Sequence, residues 1–268
     1  MTEPRVSFAP GTDLDVAVAE VVTLLQREGV VVLDDLTDPA LLAQCWGEVE
    51  AAYPDLAVED RANNYGPYKG RHTMPMVIDG ALADKKILLP PPVARVANTL
   101  LDSSFKVDSV GLLVAFPGAP EQKRHADAFL YPKTQIDRLL PPFAIAFAQP
   151  LVTMDETTGR TAFWRGSHRT GRPEGPPDYA PILRPGSAIL WDFRVWHCGL
   201  ANNSAAPRPV IFTVLAREWW IEIEPIAAIY YKKLKIARHI HDAFSPKWQR
   251  RFHRALIVDT QSSGAVDA

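Results

Sequence analysis

The chain has 268 residues, 47% of them apolar and 22% charged, which excludes wholesale disorder and fits one large domain or two small ones. Its formal net charge of −2 speaks against a surface made globally for nucleic acid or anionic membrane. Two cysteines, Cys45 and Cys198, are too few for a disulfide framework or a thiolate zinc site. No stretch offers the roughly 20 apolar residues of a bilayer crossing. The N-terminus lacks a basic region followed by an apolar core, so a cytoplasmic, reducing setting is expected.

In chain order, Thr12 or Asp13 caps a first helix whose stripe is Val18, Val21, Val22 and Leu25, and Gly29 ends it. Val30 to Leu33 reads as a short buried strand. Asp38-Pro39 opens a second helix with Leu42, Cys45, Trp46 and Val49 on its apolar face. From Ala57 to Gly80 the pattern gives way to a polar, aromatic and basic loop, RANNYGPYKGRHTMP, of the length that is usually functional or disordered. A third helix is predicted over Pro92 to Ser103. Strand-like runs follow at Phe105 to Phe116, Phe143 to Val152, Ser187 to Phe193 and Pro209 to Ala216, separated by Gly- and Pro-bearing turns. Pro225 to Ile257 reads as basic helix with a solvated face. The pattern predicts a mainly β protein with flanking helices, a sandwich or jelly roll. We expect a single domain with a helical part at 1–104, a β core at about 105–222 and C-terminal helices at 225–257.

The densest polar cluster of the strand region is His125-Ala126-Asp127. Residues i and i+2 of a strand point to one face, so this imidazole and carboxylate can converge on one ion. Two histidines and one carboxylate form the facial triad of non-haem Fe(II) oxygenases, which leaves three metal positions open. Of the seven histidines, His239, His241 and His253 fall in the basic C-terminal stretch. His197, closing the strand-like SAILWDFRVWH, is a plausible second imidazole, with His72 and His168 as competitors. Arg208 follows the NNSAAP turn, where a returning strand would bring it back towards the metal. Its planar fork of donors suits the far carboxylate of a dicarboxylate co-substrate.

The sequence resembles the phytanoyl-CoA dioxygenase family of Fe(II)/2-oxoglutarate-dependent oxygenases. The resemblance rests on LLQREGVVVLDDLTDPALLAQC, QKRHAD, ETTGRTAFWRGSHR and GSAILWDFRVWHCGLANNSAAPRPVIF. It implies a double-stranded β-helix core (jelly roll, cupin-like), iron held by His125, Asp127 and His197, and 2-oxoglutarate anchored by Arg208. Gln122 matches a glutamine that contacts the co-substrate in several members, Thr161 falls where members often carry a threonine before the GSH turn and is carried over as co-substrate-binding with it, and O2 is the second co-substrate. His168 falls in the family's GSH turn, which implies a structural role. Two departures, Thr158 before Gly159 and Arg165 before Gly166, affect loop conformation and not the ligand set. Asp127 stands where halogenating relatives have a small residue, which argues against halogenation.

The implied chemistry is hydroxylation of a C–H bond with release of succinate and CO2. Tyr65, Tyr68, Lys69, Arg71 and His72 of the early loop, Phe129 and Tyr131 after the HxD motif, and Trp164 and Trp196 are candidates for the substrate pocket. A small-molecule metabolite is the expected substrate, with no nucleic-acid or membrane partner; the oligomeric state stays open. Desaturation, epoxidation or ring closure would begin from the same site. Competing readings are a macromolecule-directed hydroxylase, which wants a basic groove with stacking aromatics, and a non-catalytic jelly-roll binder of metal or ligand, which need not keep both Asp127 and Arg208. Zinc hydrolysis would leave Arg208 unexplained.

Overall fold

A computed structural model describes residues 3–53, 70–132, 134–221 and 234–260. The first helix, α1 (Leu14–Glu28), is capped by Asp13, whose carboxylate accepts from the N–H groups of Asp15 and Val16. Gly29 ends it at φ 78°, its N–H donating to the Leu25 carbonyl. Helix α2 (Pro39–Ala52) is capped by Asp38 and carries Pro39 in its first turn. With α3 (Lys85–Leu88) and α4 (Pro91–Leu101), these helices cover one face of a seven-stranded sheet.

That sheet runs β1 (Arg5–Ser7), β2 (Val30–Asp34), β8 (Ala188–Asp192), β6 (Ala144–Pro150), β10 (Arg208–Ala216), β5 (Lys106–Ala115), β3 (Arg71–Pro75), neighbours being hydrogen-bonded. The β1–β2 pairing is parallel and the other pairings in it are antiparallel. A second, two-stranded sheet pairs β7 (Thr161–Phe163) with β9 (His197–Gly199). Strand alternation sorts the side chains. Val31, Leu33, Ile145, Phe147, Leu190, Ile211 and Leu215 join the helix-facing core with Val21, Leu25, Leu42 and Val96. Val30, Val32, Ala148, Ile189 and Val210 face the other way and pack with Phe163 of the second sheet. The inner space of this jelly roll is therefore bounded by both sheets.

Three expectations change. The division at residue 104 does not hold, because β1, β2 and β3 of the N-terminal part are strands of the main sheet. The stretch RHTMP, read as loop, is β3, in register with Ala115 to Gly111 of β5. It lacks apolar alternation because Arg71 and His72 are themselves buried there. The C-terminal stretch is not continuous helix. From residue 234 it forms β11 (Lys235–Ala237), α6 (Arg238–Ala243), α7 (Pro246–Arg251) and β12 (Leu256–Val258), after α5 (Ser167–Thr170) earlier in the chain; residues 225–233 lie outside the described residues. Pro246 interrupts the helix, and Ile236 and Ile257 are in register between β11 and β12, with β4 (Val77–Ile78) on the far side of β11. Its basic face is not all solvated either, since Arg251 is buried over the Phe105 ring at 3.6 Å.

Gly29 joins the helix layer to the inner space. A Cβ there would meet Val195 Cγ2 at 2.2 Å and His168 Nδ1 at 2.5 Å, at a left-handed φ. Gly29→Ala should therefore destabilise the chain by at least about 1–3 kcal/mol, from backbone strain alone. A urea titration checks this, and an unchanged midpoint would refute the packing described.

Candidate active site

The chain returns its two strand-end histidines to each other. His125 N–H donates to the His197 carbonyl at 2.9 Å and His197 N–H donates back at 2.8 Å, an antiparallel bridge between loop and β9. Asp127 N–H is held by the Phe193 carbonyl at 2.9 Å. These backbone bonds bring one ligand atom each from His125, Asp127 and His197 within 4.8 Å of one another.

Each imidazole is oriented from behind. His125 Nδ1 lies 2.9 Å from the Lys123 carbonyl and His197 Nδ1 lies 3.0 Å from the Val195 carbonyl. A carbonyl only accepts, so Nδ1 carries the proton and Nε2 offers its lone pair to the common centre. His197 Nε2 stands 3.6 Å from Asp127 Oδ1. Burial pushes the His197 pKa down, and His125 beside it acts in the same direction, although the Asp127 charge opposes them. The ring stays neutral, the form a metal requires. The Asp127 Oδ2 accepts the Trp191 indole N–H at 2.8 Å. Phe163, in register with His197, lies against its ring at 5.7 Å.

Arg208 begins β10 and is 1% exposed. Its Nε and Nη2 have no hydrogen-bond partner among the described residues, and Nη1 reaches only the Met154 sulfur at 4.0 Å. Burial, with Arg71 nearby, pulls its pKa down to about 9. Among the described residues no carboxylate pairs with this guanidinium. Arg208 and Arg71 flank Ala115 of β5 on either side. The Arg71 Nη2 donates to the carbonyls of Pro120, Gly199 and Leu200. Gln122 Oε1 accepts from Gly199 N–H at 2.8 Å, and a Cβ on Gly199 would meet both Gln122 Oε1 at 2.7 Å and Arg71 Nη1 at 3.0 Å. Thr161 is opposite Gly199 on β7. Strand β9 thus joins the two groups, with His197 in the triad and Gly199 against Gln122 and the buried Arg71.

Residues 25–210 match the family described as Phytanoyl-CoA dioxygenase (PhyH). The chain belongs to this family of Fe(II)/2-oxoglutarate-dependent oxygenases. It is an oxidoreductase of the dioxygenase class. It is 29% identical over 202 residues to the dioxygenase cdmA of Talaromyces verruculosus, covering 70% of this chain and 69% of that one. It is 24% identical to the multifunctional dioxygenase prhA of Penicillium brasilianum, over 90% of this chain and 85% of that one. Among solved structures, EctD from S. alaskensis with 2-oxoglutarate and 5-hydroxyectoine superposes with a TM-score of 0.58 at 20% identity, over 81% and 83% of the two chains. SnoN, a non-heme α-ketoglutarate-dependent epimerase of nogalamycin biosynthesis, gives 0.57 at 19% identity over 76% and 82%. The family fold is a jelly roll, as read from the sequence.

The expected pocket residues of this family member divide. Tyr65, Tyr68 and Lys69 lie outside the described residues. Phe129, 36% exposed, stands 6.2 Å from Trp196 at the rim, and Tyr131 beyond it is exposed. Trp164 and Trp196 do not face the inner space. They pack with Cys198 on the opposite face of the β7–β9 pair, because residues next to an inward His197 and Phe163 must point outward. Arg71 is 2% exposed and lies at the Gln122 end, while His72 faces the helix-side core against Phe116 at 4.5 Å. Neither forms an open substrate wall. Trp191 and Phe163 are the inward aromatics that sequence reasoning missed; register with His197 is the signal that would have found Phe163.

His168 is buried, its Nε2–H donating to the Gln26 carbonyl at 3.1 Å, which ties the GSH turn to α1. Burial pushes its pKa below the ordinary 6.5, and that of His72 likewise. As pH falls below 6.5 the unfolded chain takes up these protons before the folded one. Stability is therefore lost with acidification from about 6.5 down to the folded values. Urea midpoints of the metal-free protein at pH 7.5 and 5.5 should show the drop, and His168→Gln should make it smaller. A pH-independent midpoint would mean that these rings are solvated.

Proposed function

We propose that this oxygenase hydroxylates a C–H bond of a small-molecule metabolite, consuming one O2 and one 2-oxoglutarate and releasing succinate and CO2. The observation that carries the reading is Arg208, a buried guanidinium without a counter-charge among the described residues, in a fold that also gathers a His/Asp/His cluster. A dicarboxylate that reaches from the cluster to Arg208 supplies the missing charge, and zinc hydrolysis or simple metal storage would not call for it.

The donor set fits the proposed cofactor: two imidazoles and a carboxylate suit Fe(II). His125, Asp127 and His197 would hold the iron. Bound there, it would supply activation of dioxygen and hydroxylation of an unactivated bond. The protein's own contribution is placement. Arg208 binds the far carboxylate of 2-oxoglutarate through a charge-assisted fork, and Arg71 adds positive potential to the same end. Gln122 spends its carbonyl oxygen on Gly199 N–H, so it presents its amide NH2 to the co-substrate. Thr161 adds a hydroxyl from β7. Met154, Val210, Ala148 and Phe163 line the apolar layer around this end and keep water from it. The substrate enters past Phe129, where the rim is apolar and exposed.

The test is an anaerobic titration of the metal-free protein with Fe(II) and then 2-oxoglutarate, following the visible charge-transfer band of the pair. A band that needs both components supports the assignment, and succinate release then screens candidate metabolites. Iron binding without a band on adding 2-oxoglutarate would refute the co-substrate role.

A further inference from the structure

We infer that Trp191 is a positioning residue for the metal: its indole N–H occupies one oxygen of Asp127, so that the carboxylate presents only the other to the ion. The inference rests on the metal assignment proposed above. Three observations converge. Trp191 Nε1 lies 2.8 Å from Asp127 Oδ2, and Asp127 Oδ1 is the oxygen turned toward His197 Nε2 at 3.6 Å. The indole is fixed by its strand, since Trp191 sits in β8 with Val30 and Ala146 in register on either side. The ring is further confined between Phe163 at 5.8 Å and the His197 ring at 5.4 Å.

The consequence is chemical. A carboxylate is free to give a metal one oxygen or both. One oxygen, with two imidazoles, leaves three positions of a six-coordinate ion open, and both oxygens would leave two. Fixing Oδ2 by an N–H that cannot rotate away preserves the open positions before any co-substrate arrives. The two histidines are held from behind by the Lys123 and Val195 carbonyls, so Trp191 completes the set of outer partners, one for each ligand. Ring contacts alone would not require the nitrogen, and phenylalanine would satisfy them.

Trp191→Phe removes the donor and keeps a ring on the strand. Mn(II) binding followed by electron paramagnetic resonance should weaken by about 10-fold or more in this variant. The visible absorption of the Co(II)-loaded protein should change in position or intensity, because the carboxylate is released to bind through both oxygens. Trp191→His, which keeps a ring N–H at the same place on β8, should recover part of the affinity, and it serves where the phenylalanine variant does not fold. Unchanged Mn(II) affinity and Co(II) absorption in Trp191→Phe would show that the indole only packs the floor. No Mn(II) binding by the wild-type protein would instead overturn the metal assignment and this inference together.

Discussion

Replacing Asp127 with alanine is expected to weaken Fe(II) binding by more than about 100-fold and to abolish succinate-forming turnover. Loss of an outer partner of a metal ligand costs about 10–100-fold, and here the ligand itself is removed. The variant should still fold, because the backbone bond from Asp127 N–H to the Phe193 carbonyl and the His125–His197 bridge do not depend on its side chain. It should be modestly less stable, by about 1–3 kcal/mol, since the Trp191 indole N–H loses its acceptor. Asp127→Asn separates the two effects. It keeps an oxygen for Trp191 and lacks the charge, so it should recover the stability without recovering the iron. Full turnover in the alanine variant would refute the triad.

The parts of this protein that were legible in the sequence are those where one physical signal dominates. Asp13, Gly29, Asp38 and Pro39 mark helix ends through backbone hydrogen bonds and φ, which are local. Strands β5, β6, β8 and β10 are dense in apolar and β-branched residues because they are buried on both faces, between helices and the second sheet. Strand β3 was illegible for the opposite reason. Its buried arginine is satisfied by the carbonyls of Pro120, Gly199 and Leu200, contacts that no local pattern records.

The HxD spacing pointed to the cluster, although His125 and Asp127 lie outside any strand and are brought together by backbone bonds to His197 and Phe193. Which aromatics face that cluster could not be read, since the turn between Asp192 and His197 resets the strand alternation. Trp191 therefore faces inward although Trp196, nearer in sequence to the ligand, faces outward. The same parity explains why Phe163, and not Trp164, meets His197. Arg208 was legible as a candidate from its place after a turn. Its significance comes from burial with Nε and Nη2 unpartnered among the described residues, which only the folded chain displays.

Arg208 gives two effects of opposite sign, and that makes it the sharper test of the co-substrate assignment. In the metal-free protein a buried guanidinium without a counter-charge among the described residues is a cost to the fold, so Arg208→Met should raise stability by about 1–4 kcal/mol. The same substitution should weaken 2-oxoglutarate binding to the Mn(II)-loaded protein by about 2–5 kcal/mol, or about 30- to 4,000-fold. Thermal melts read both. The wild type should gain about 2.7 kcal/mol when Mn(II) is present and 2-oxoglutarate is at 100 times its Kd, and the variant at that same concentration should gain at most about 0.9 kcal/mol. The variant's lead over the wild type should therefore shrink by about 1.8–2.7 kcal/mol on adding the co-substrate. A variant less stable than wild type without ligand would mean that Arg208 already has a partner in the fold. A variant stabilised by 2-oxoglutarate as much as the wild type would place the far carboxylate on another group, and Arg71, on the other side of Ala115, would be the first to examine.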